Sequence, residues 1–363
     1  TKALRPIFFT RDPEKVHDAM TLVGKFLGNY TLTRKITSIL FSYSHPMLEQ
    51  NILGIHFPNP VGLAAGFDKD AQLTDILPSV GFGFTEVGSI TGEANEGNPK
   101  PRLWRLKKSR ALVVYYGLKN EGCEKISARL RTKKFKIPIG TNIAKTNCSD
   151  TVETEAGIDD YLKAFRRFVD IGHYFTINIS CPNAFGGEPF TDPDRLEKLL
   201  SAVDDIPTKK PIFLKISPDL TEKQVGNILQ VCERHRVHGF ICSNLTKGRT
   251  SPKIHDDIVP EKGGISGKVQ EGLSTAQIRF IYQKSRGKYI IIGCGGIFSA
   301  DDAYAKIKAG ASLVQLITGM IFEGPQLINE INRGLVELLK KDGFRSVGEA
   351  RGTENPVKSN GLA

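Results

Sequence analysis

One thiol with a carboxamide on either side marks the most chemically loaded stretch of this sequence, Asn178-Ile-Ser-Cys181-Pro182-Asn183. The alternating run from Tyr174 to Ile179 predicts a strand. Ser180-Cys181-Pro182 must end it, because proline lacks the ladder donor and fixes φ. Cys181 is therefore expected at a stiff strand tip, between Asn178 and Asn183. A placed thiol and two amides suit proton abstraction from a polar, planar substrate. An inert buried cysteine before a turn is the plainer alternative for an isolated Cys-Pro, so the rest of the chain has to decide. Two lysines bear on that decision. Lys215 interrupts the apolar run Phe213-Leu214-Lys215-Ile216, where a buried ammonium is costly without an anion. Lys69 closes Ala64-Ala65-Gly66-Phe67-Asp68-Lys69.

The elements that would hold these residues repeat along the chain. Strands are expected at 61–66, 84–89, 137–143, 174–180, 211–217, 239–244, 289–296 and 313–318, mostly as short apolar runs of the kind parallel sheets bury. Helices are expected at 158–169, 192–203, 221–234, 275–285, 300–309 and 325–339. Thr221 and Ser299 are N-cap candidates, and Gly310 is a stop. Eight such units predict an α/β fold, a TIM (β/α)8 barrel, whose reactive residues sit at the C-terminal strand ends. The residues singled out above fall at such ends, as do Ser243-Asn244.

Strand seven ends in Gly293-Cys294-Gly295-Gly296 and strand eight in Thr318-Gly319, the pair of loops where barrels commonly hold a phosphate. Gly263-Gly264-Ile265-Ser266-Gly267 reads as a further flexible, amide-rich loop. Small residues let backbone N–H groups reach phosphate oxygens. Gly293–Gly296 lacks the third glycine of a dinucleotide fingerprint, and the stretch from Gly62 to Lys69 lacks the adjacent Gly-Lys of a P-loop. The expectation is a mononucleotide-type cofactor across the barrel mouth, with FMN the best fit.

Composition narrows the class further. The 363 residues are 40% apolar and 25% charged, as in soluble globular proteins. No apolar run reaches the roughly 18 residues of a spanning helix, and no signal-peptide core is present, so an intracellular chain is expected. The six cysteines form no Cys-x-x-Cys pair, which argues against an iron–sulfur cluster, a structural zinc or a disulfide framework. A net charge of +11 favours anionic partners. Nucleic acid is not among those expected, because pairs such as Lys107-Lys108 and Lys133-Lys134 are short and lack interleaved aromatics.

The first 50 residues stand apart from the barrel pattern. Asp12-Pro13-Glu14 signals a helix start. Val16, Ala19, Met20, Val23, Phe26 and Leu27 then form an apolar stripe, and Leu32, Ile36, Ile39 and Leu40 mark a second short helix. Lys2, Arg5, Arg11, Lys15, Lys25, Arg34 and Lys35 surround them. By pattern alone this pair could lie on an anionic membrane surface or pack on the barrel.

Read together, these motifs resemble the dihydroorotate dehydrogenase family. The resemblance rests on Asn59-Pro-Val-Gly-Leu-Ala-Ala-Gly-Phe-Asp-Lys69, Glu86-Val-Gly-Ser89, Gly97-Asn-Pro99, Asn178–Asn183, Lys215-Ile-Ser-Pro-Asp219, Gly263–Gly267 and Gly310-Ala-Ser-Leu-Val-Gln315, in register over about residues 5 to 345. Arg5-Pro-Ile-Phe-Phe9 with Asp12–His17 resembles the membrane-associated, quinone-using class, whose N-terminal helices form an apolar tunnel to the flavin. The resemblance implies FMN contacts at Ala65, Gly66, Ser89, Asn142, Asn178, Lys215, Ser243, Gly267, Gly296, Ile317 and Thr318. It implies substrate contacts at Lys69, Asn178, Asn183 and Asn244, with Cys181 as base and no metal.

The implied activity is oxidation of (S)-dihydroorotate to orotate in pyrimidine biosynthesis. Electrons would pass to quinone at an inner membrane, bacterial or mitochondrial, to which the chain attaches peripherally. The implied division is quinone helices at 1–50, barrel at 51–345 and tail at 346–363. Three positions depart from the family pattern. Cys181 replaces the quinone class's serine, as in the soluble class. Val114 stands where an asparagine usually opens the substrate loop, and Leu245 where a threonine often touches substrate. Two lost polar partners would weaken orotate binding by about 1–3 kcal/mol each. Hence a different dihydropyrimidine, or a soluble-type enzyme with another acceptor, is the alternative.

Overall fold

Short runs that are apolar on both faces need burial on both faces, and parallel pairing under a coat of helices supplies it. The computed structural model, which describes residues 5–356, has this arrangement. Strands β3 (Val61–Leu63), β4 (Phe84–Ile90), β7 (Ile139–Ile143), β8 (Tyr174–Asn178), β9 (Ile212–Ile216), β10 (Gly239–Cys242), β12 (Ile290–Cys294) and β13 (Leu313–Leu316) close into one all-parallel barrel, with β13 pairing back to β3. All eight expected strands are there. Most stop one to three residues early, because the polar tips leave the ladder and bond elsewhere. The Gly66 N–H donates to the Gly88 carbonyl at 2.7 Å, and the Ser243 N–H to the Cys294 carbonyl at 2.7 Å.

The outer coat comprises α4 (Leu77–Val80), α5 (Gly122–Leu130), α6 (Thr154–Arg167), α7 (Pro193–Asp204), α8 (Glu222–Cys232), α9 (Glu271–Lys284), α10 (Ala300–Ala309) and α12 (Leu327–Lys341). Thr221 and Gln224 form a reciprocal capping box, Ser299 accepts the Asp302 N–H, and Gly310 closes α10, as the sequence predicts. A hairpin of β1 (Gln50–Ile52) and β2 (Ile55–Phe57) plugs the other end of the barrel, where Ile52 and Phe57 join Phe84, Tyr174, Phe213 and Ile292 in one apolar cluster.

Beside the mouth lies a three-stranded antiparallel sheet of β5 (Leu103–Leu106), β6 (Ala111–Val114) and β11 (Gly264–Gly267). This corrects the reading of Gly263–Gly267 as a flexible loop. Ile265 is fully buried opposite Val113 and exchanges backbone hydrogen bonds with Thr246, so the glycines belong to a fixed strand.

Helices α1 (Arg5–Thr10), α2 (Pro13–Asn29) and α3 (Thr31–Phe41) precede the barrel. Asp12 caps α2 by accepting the Lys15 N–H at 2.9 Å. The docking face of α2 is small and polar. A Cβ at Gly24 would meet Leu73 at 2.7 Å, and one at Gly28 would meet Asp75 at 3.3 Å, so these glycines let the helix approach closely. Glu14 pairs with Arg102 at 2.8 Å, both side chains being buried. The apolar stripe faces outward instead: Met20, Val23, Phe26, Leu32, Ile36, Ile39 and Leu40 are exposed, Ile39 by 83%. Of the stripe, Leu27 packs against the barrel's core and Val16 is half-buried, so packing on the barrel accounts for only its margin.

At the other end, residues 346–356 lie against the sixth and seventh units, at α9 and α10. Helix α13 (Val347–Ala350) contributes two buried residues, and Asn355 donates to the Arg279 and Ala309 carbonyls. Lys2 and the tail residues 357–363 lie outside the described residues. Among the described residues no helix is long and apolar enough to cross a membrane.

Candidate active site

Every strand tip singled out above opens on one cavity at the C-terminal end of the barrel. It encloses about 1230 Å³ continuous with solvent. Cys181, Lys69, Asn178, Asn183 and Asn244 all lie on its wall. So do Ala65, Gly66, Ser89, Lys215, Ser243, Gly267, Gly296, Ile317 and Thr318.

The amides are mutually braced. Asn178 Nδ2 donates to Ser89 Oγ at 2.9 Å, while its Oδ1 accepts from the Ser180 N–H at 3.1 Å and from Asn244 Nδ2 at 3.3 Å. Asn244 Nδ2 also donates to the Ser180 carbonyl at 2.8 Å, and Gln270 Nε2 holds the Asn244 carbonyl at 2.6 Å. Asn183 Nδ2 donates to the Val114 carbonyl at 2.8 Å, and its own carbonyl accepts from Asn98 Nδ2 at 3.1 Å. The polar wall is therefore oriented before any ligand arrives, which lowers the ordering cost of binding.

Lys69 rests under the Tyr116 ring, its Nζ 4.2 Å from the centroid. Burial, helped by repulsion from Lys119, lowers its pKa to about 8 against the pull of Asp70 and Asp18. An anion placed there would favour the charged form again. Burial pushes the Cys181 thiol up to about 11, although a hydrogen bond from the Asn183 backbone and the charges of Lys145 and Lys215 pull it down. An ordinary thiol near 8.5 would put the gain of thiolate between about pH 7 and 9; in this pocket the gain continues above pH 9.

Lys215, the strand partner of Asn178 on β9, is only 4% exposed, and its Nζ makes no hydrogen bond or ion pair among the described residues. Ser243 Oγ is likewise buried without a partner. Two buried polar groups left open on one cavity wall suit a polar ligand that completes them.

Two of these positions also carry a structural load. Asn142 is fully buried, its Oδ1 accepting from Ser89 Oγ at 2.5 Å and its Nδ2 donating to Glu86 at 3.0 Å. It braces Ser89 of the cavity wall. Gly296 lines the cavity, where a Cβ would meet Glu271 Cα at 2.5 Å and the backbone has φ +75°. The close approach of α9 therefore requires this glycine, independently of any phosphate.

Sequence reasoning gave no cavity role to His17, Tyr116, Lys119, Gln270 or Phe298, which also line the site. Tyr116 and Lys119 flank Gly117 in the very loop where Val114 departs from the family pattern, a usable signal. Gln270 and Phe298 carry none. His17 arrives from α2, its Nε2 2.9 Å from the Phe67 carbonyl, and burial and the Lys69 charge lower its pKa to about 4. Leu103, Leu112, Phe298 and Ile321 add an apolar lining and pack in one cluster with Phe9 of α1.

Comparison with known proteins agrees with this layout. The family model described as dihydroorotate dehydrogenase matches residues 47–339. A "dihydroorotate dehydrogenase (quinone)" of Trichodesmium erythraeum is 38% identical over 372 residues, covering 97% of this chain and 98% of that protein. One of Natronomonas pharaonis is 39% identical over 351 residues, with the same coverage. The crystal structure of DHODH in complex with ferulenol from Eimeria tenella superposes with a TM-score of 0.85 at 30% identity, covering 97% of this chain and 98% of that one.

Proposed function

The chain belongs to the dihydroorotate dehydrogenase family, and on that premise we propose that it uses FMN to oxidise (S)-dihydroorotate to orotate and passes the electrons to a membrane quinone. The observation that carries this reading is the convergence of Cys181, Lys69, three braced asparagines and the unpartnered Lys215 on one cavity.

The lining fits a flavin mononucleotide. Lys215 Nζ and Ser243 Oγ await polar partners, and Ala65, Gly66, Gly267, Gly296 and Thr318 line the same cavity. When bound, FMN would supply the two-electron acceptor for the hydride that leaves C6 of the substrate. Cys181 Sγ takes the C5 proton, so that the C5–C6 bond becomes double. Lys69 neutralises the carboxylate, and Asn178, Asn183 and Asn244 hydrogen-bond the urea-like edge of the ring. Lys215 offsets negative charge beside the acceptor. Asn142 fixes Ser89, and through it Asn178.

The N-terminal helices, roughly residues 1–50, form the quinone and membrane element ahead of a barrel that runs to about residue 345. Their exposed apolar face, ringed by Lys15, Lys25 and Lys35, suits peripheral attachment to an anionic inner-membrane surface. His17, on the same helices, also lines the cavity.

The absorption spectrum of the purified protein tests the reading. A flavin spectrum that bleaches on adding dihydroorotate and returns with a soluble quinone is the expected result. Faster bleaching by dihydrouracil, which lacks the carboxylate, would move the chain to another dihydropyrimidine.

A further inference from the structure

The substrate half of the cavity holds a second lysine that the mechanism above leaves unused. Lys119 follows β6 in the loop through Gly117 and lies half-buried on the same wall as Lys69 and Tyr116. Among the described residues neither lysine makes a hydrogen bond or an ion pair. The acids nearby are committed elsewhere: Glu14 to Arg102 and Lys100, Asp18 to His17, and Asp70 to the Glu121 backbone. Two ammonium groups facing one cavity without a carboxylate between them repel, and that repulsion reaches Lys69. The wall they share has lost polar side chains, with Val114 and Leu245 presenting hydrocarbon to the cavity.

These observations fit together if the missing carboxylate comes with the ligand. We propose that Lys119 is a specificity-determining residue whose ammonium joins Lys69 on the substrate carboxylate, so that charge takes over recognition from the hydrogen bonds absent at Val114 and Leu245. This rests on the reading of the cavity as a dihydroorotate site. A carboxylate has about four lone-pair positions, enough for both ammonium groups. Charge-assisted hydrogen bonds are roughly twice as strong as neutral ones, so one lysine can replace two neutral donors. The selectivity that results differs in kind. Carboxylated pyrimidines are favoured, binding weakens with salt, and neutral pyrimidines gain nothing.

Calorimetric titration of the holoenzyme with orotate and with uracil tests this, using the wild type, Lys119→Gln and Lys119→Arg. Lys119→Gln is expected to weaken orotate by about tenfold or more and to leave uracil unchanged, while Lys119→Arg stays within a few-fold of wild type. In the wild type, orotate affinity falls as pH rises past about 8, where Lys69 loses its proton. In Lys119→Gln that fall begins at higher pH, because the repulsion is gone. Asp68 and Asp70 from the Lys69 loop and Glu14, His17 and Asp18 from α2 also bear on Lys69, and they are the same in all three proteins. Orotate binding by Lys119→Gln that equals wild type, or an equal loss for orotate and uracil, would overturn the role of Lys119 and leave the proposed activity standing. A wild type that binds no orotate removes the proposed activity, and this inference with it.

Discussion

The barrel and the helices in front of it handle apolar surface in opposite ways. In the barrel, Val61, Ile143, Ile177 and Leu214 are fully buried, and the mouth presents amides and lysines. In α2 and α3 the contacts toward the protein are made mainly by glycine, Glu14, His17 and Thr37 with Leu27, and most of the large apolar side chains point away. A helix that docks through its small and polar side has its hydrophobic side reserved for something else. An exposed apolar face of this extent marks an interaction surface. On the proposed reading catalysis and membrane attachment use separate surfaces, and substitutions should separate them.

The largest expected effect lies in the barrel. Cys181→Ala should slow flavin reduction by dihydroorotate about 10²–10⁴-fold without changing vesicle binding, as read by stopped-flow absorbance and co-sedimentation. An equal loss of membrane binding would break the separation. On the helices, the triple change Phe26→Ser, Leu32→Ser, Ile39→Ser should lower partitioning to anionic vesicles by about 10–100-fold, because shallow insertion recovers only about a third of the roughly 1.5–3 kcal/mol of full burial for each side chain. Reduction by dihydroorotate should persist while turnover with a lipid-bound quinone falls.

Two smaller effects sharpen the boundary. The KM for dihydroorotate should rise by up to about tenfold per pH unit above pH 8, because Lys69, lowered to about 8 by burial, loses the charge that meets the carboxylate. A flat KM between pH 7 and 10 would remove Lys69 from that role.

At the hinge between the regions, burial works against the charge of Glu14, but hydrogen bonds and attraction from Arg102 and Lys100 hold its carboxyl below the ordinary value. Its stabilisation of α2 is thus present above about 4.5 and lost as pH falls through the lowered value. Glu14→Gln should loosen α2 by about 1–3 kcal/mol at neutral pH, seen as faster amide exchange in residues 13–29. Unchanged exchange there would show that glycine packing alone docks the helix.

Much of the barrel was legible because its signals are local. Thr221, Ser299, Gly310 and Asp12 act on backbone groups within four residues, and short apolar runs report burial whatever their neighbours are. The sheet of β5, β6 and β11 was not legible, because Gly264–Gly267 becomes a strand only by pairing with Val114–Ala111, some 150 residues earlier. Cys181, Lys69 and Lys215 could be singled out from composition alone, since a thiol between amides and a lysine in an apolar run are locally anomalous. The bracing of Ser89 by Asn142 was not legible, because sequence marks a strand position without showing which side chain of the neighbouring strand it meets.

The sequence by itself determined the barrel, the identity of the reactive side chains and the existence of an amphipathic N-terminal pair, since periodicity, caps and side-chain chemistry act over a turn or a strand. Tertiary structure decided which way that pair faces. Its orientation follows from the fit of Gly24 and Gly28 against Leu73 and Asp75 and from the bond between Glu14 and Arg102. It also raised the Cys181 thiol and lowered the Lys69 ammonium, because desolvation depends on everything packed around a group and on nothing in its own segment.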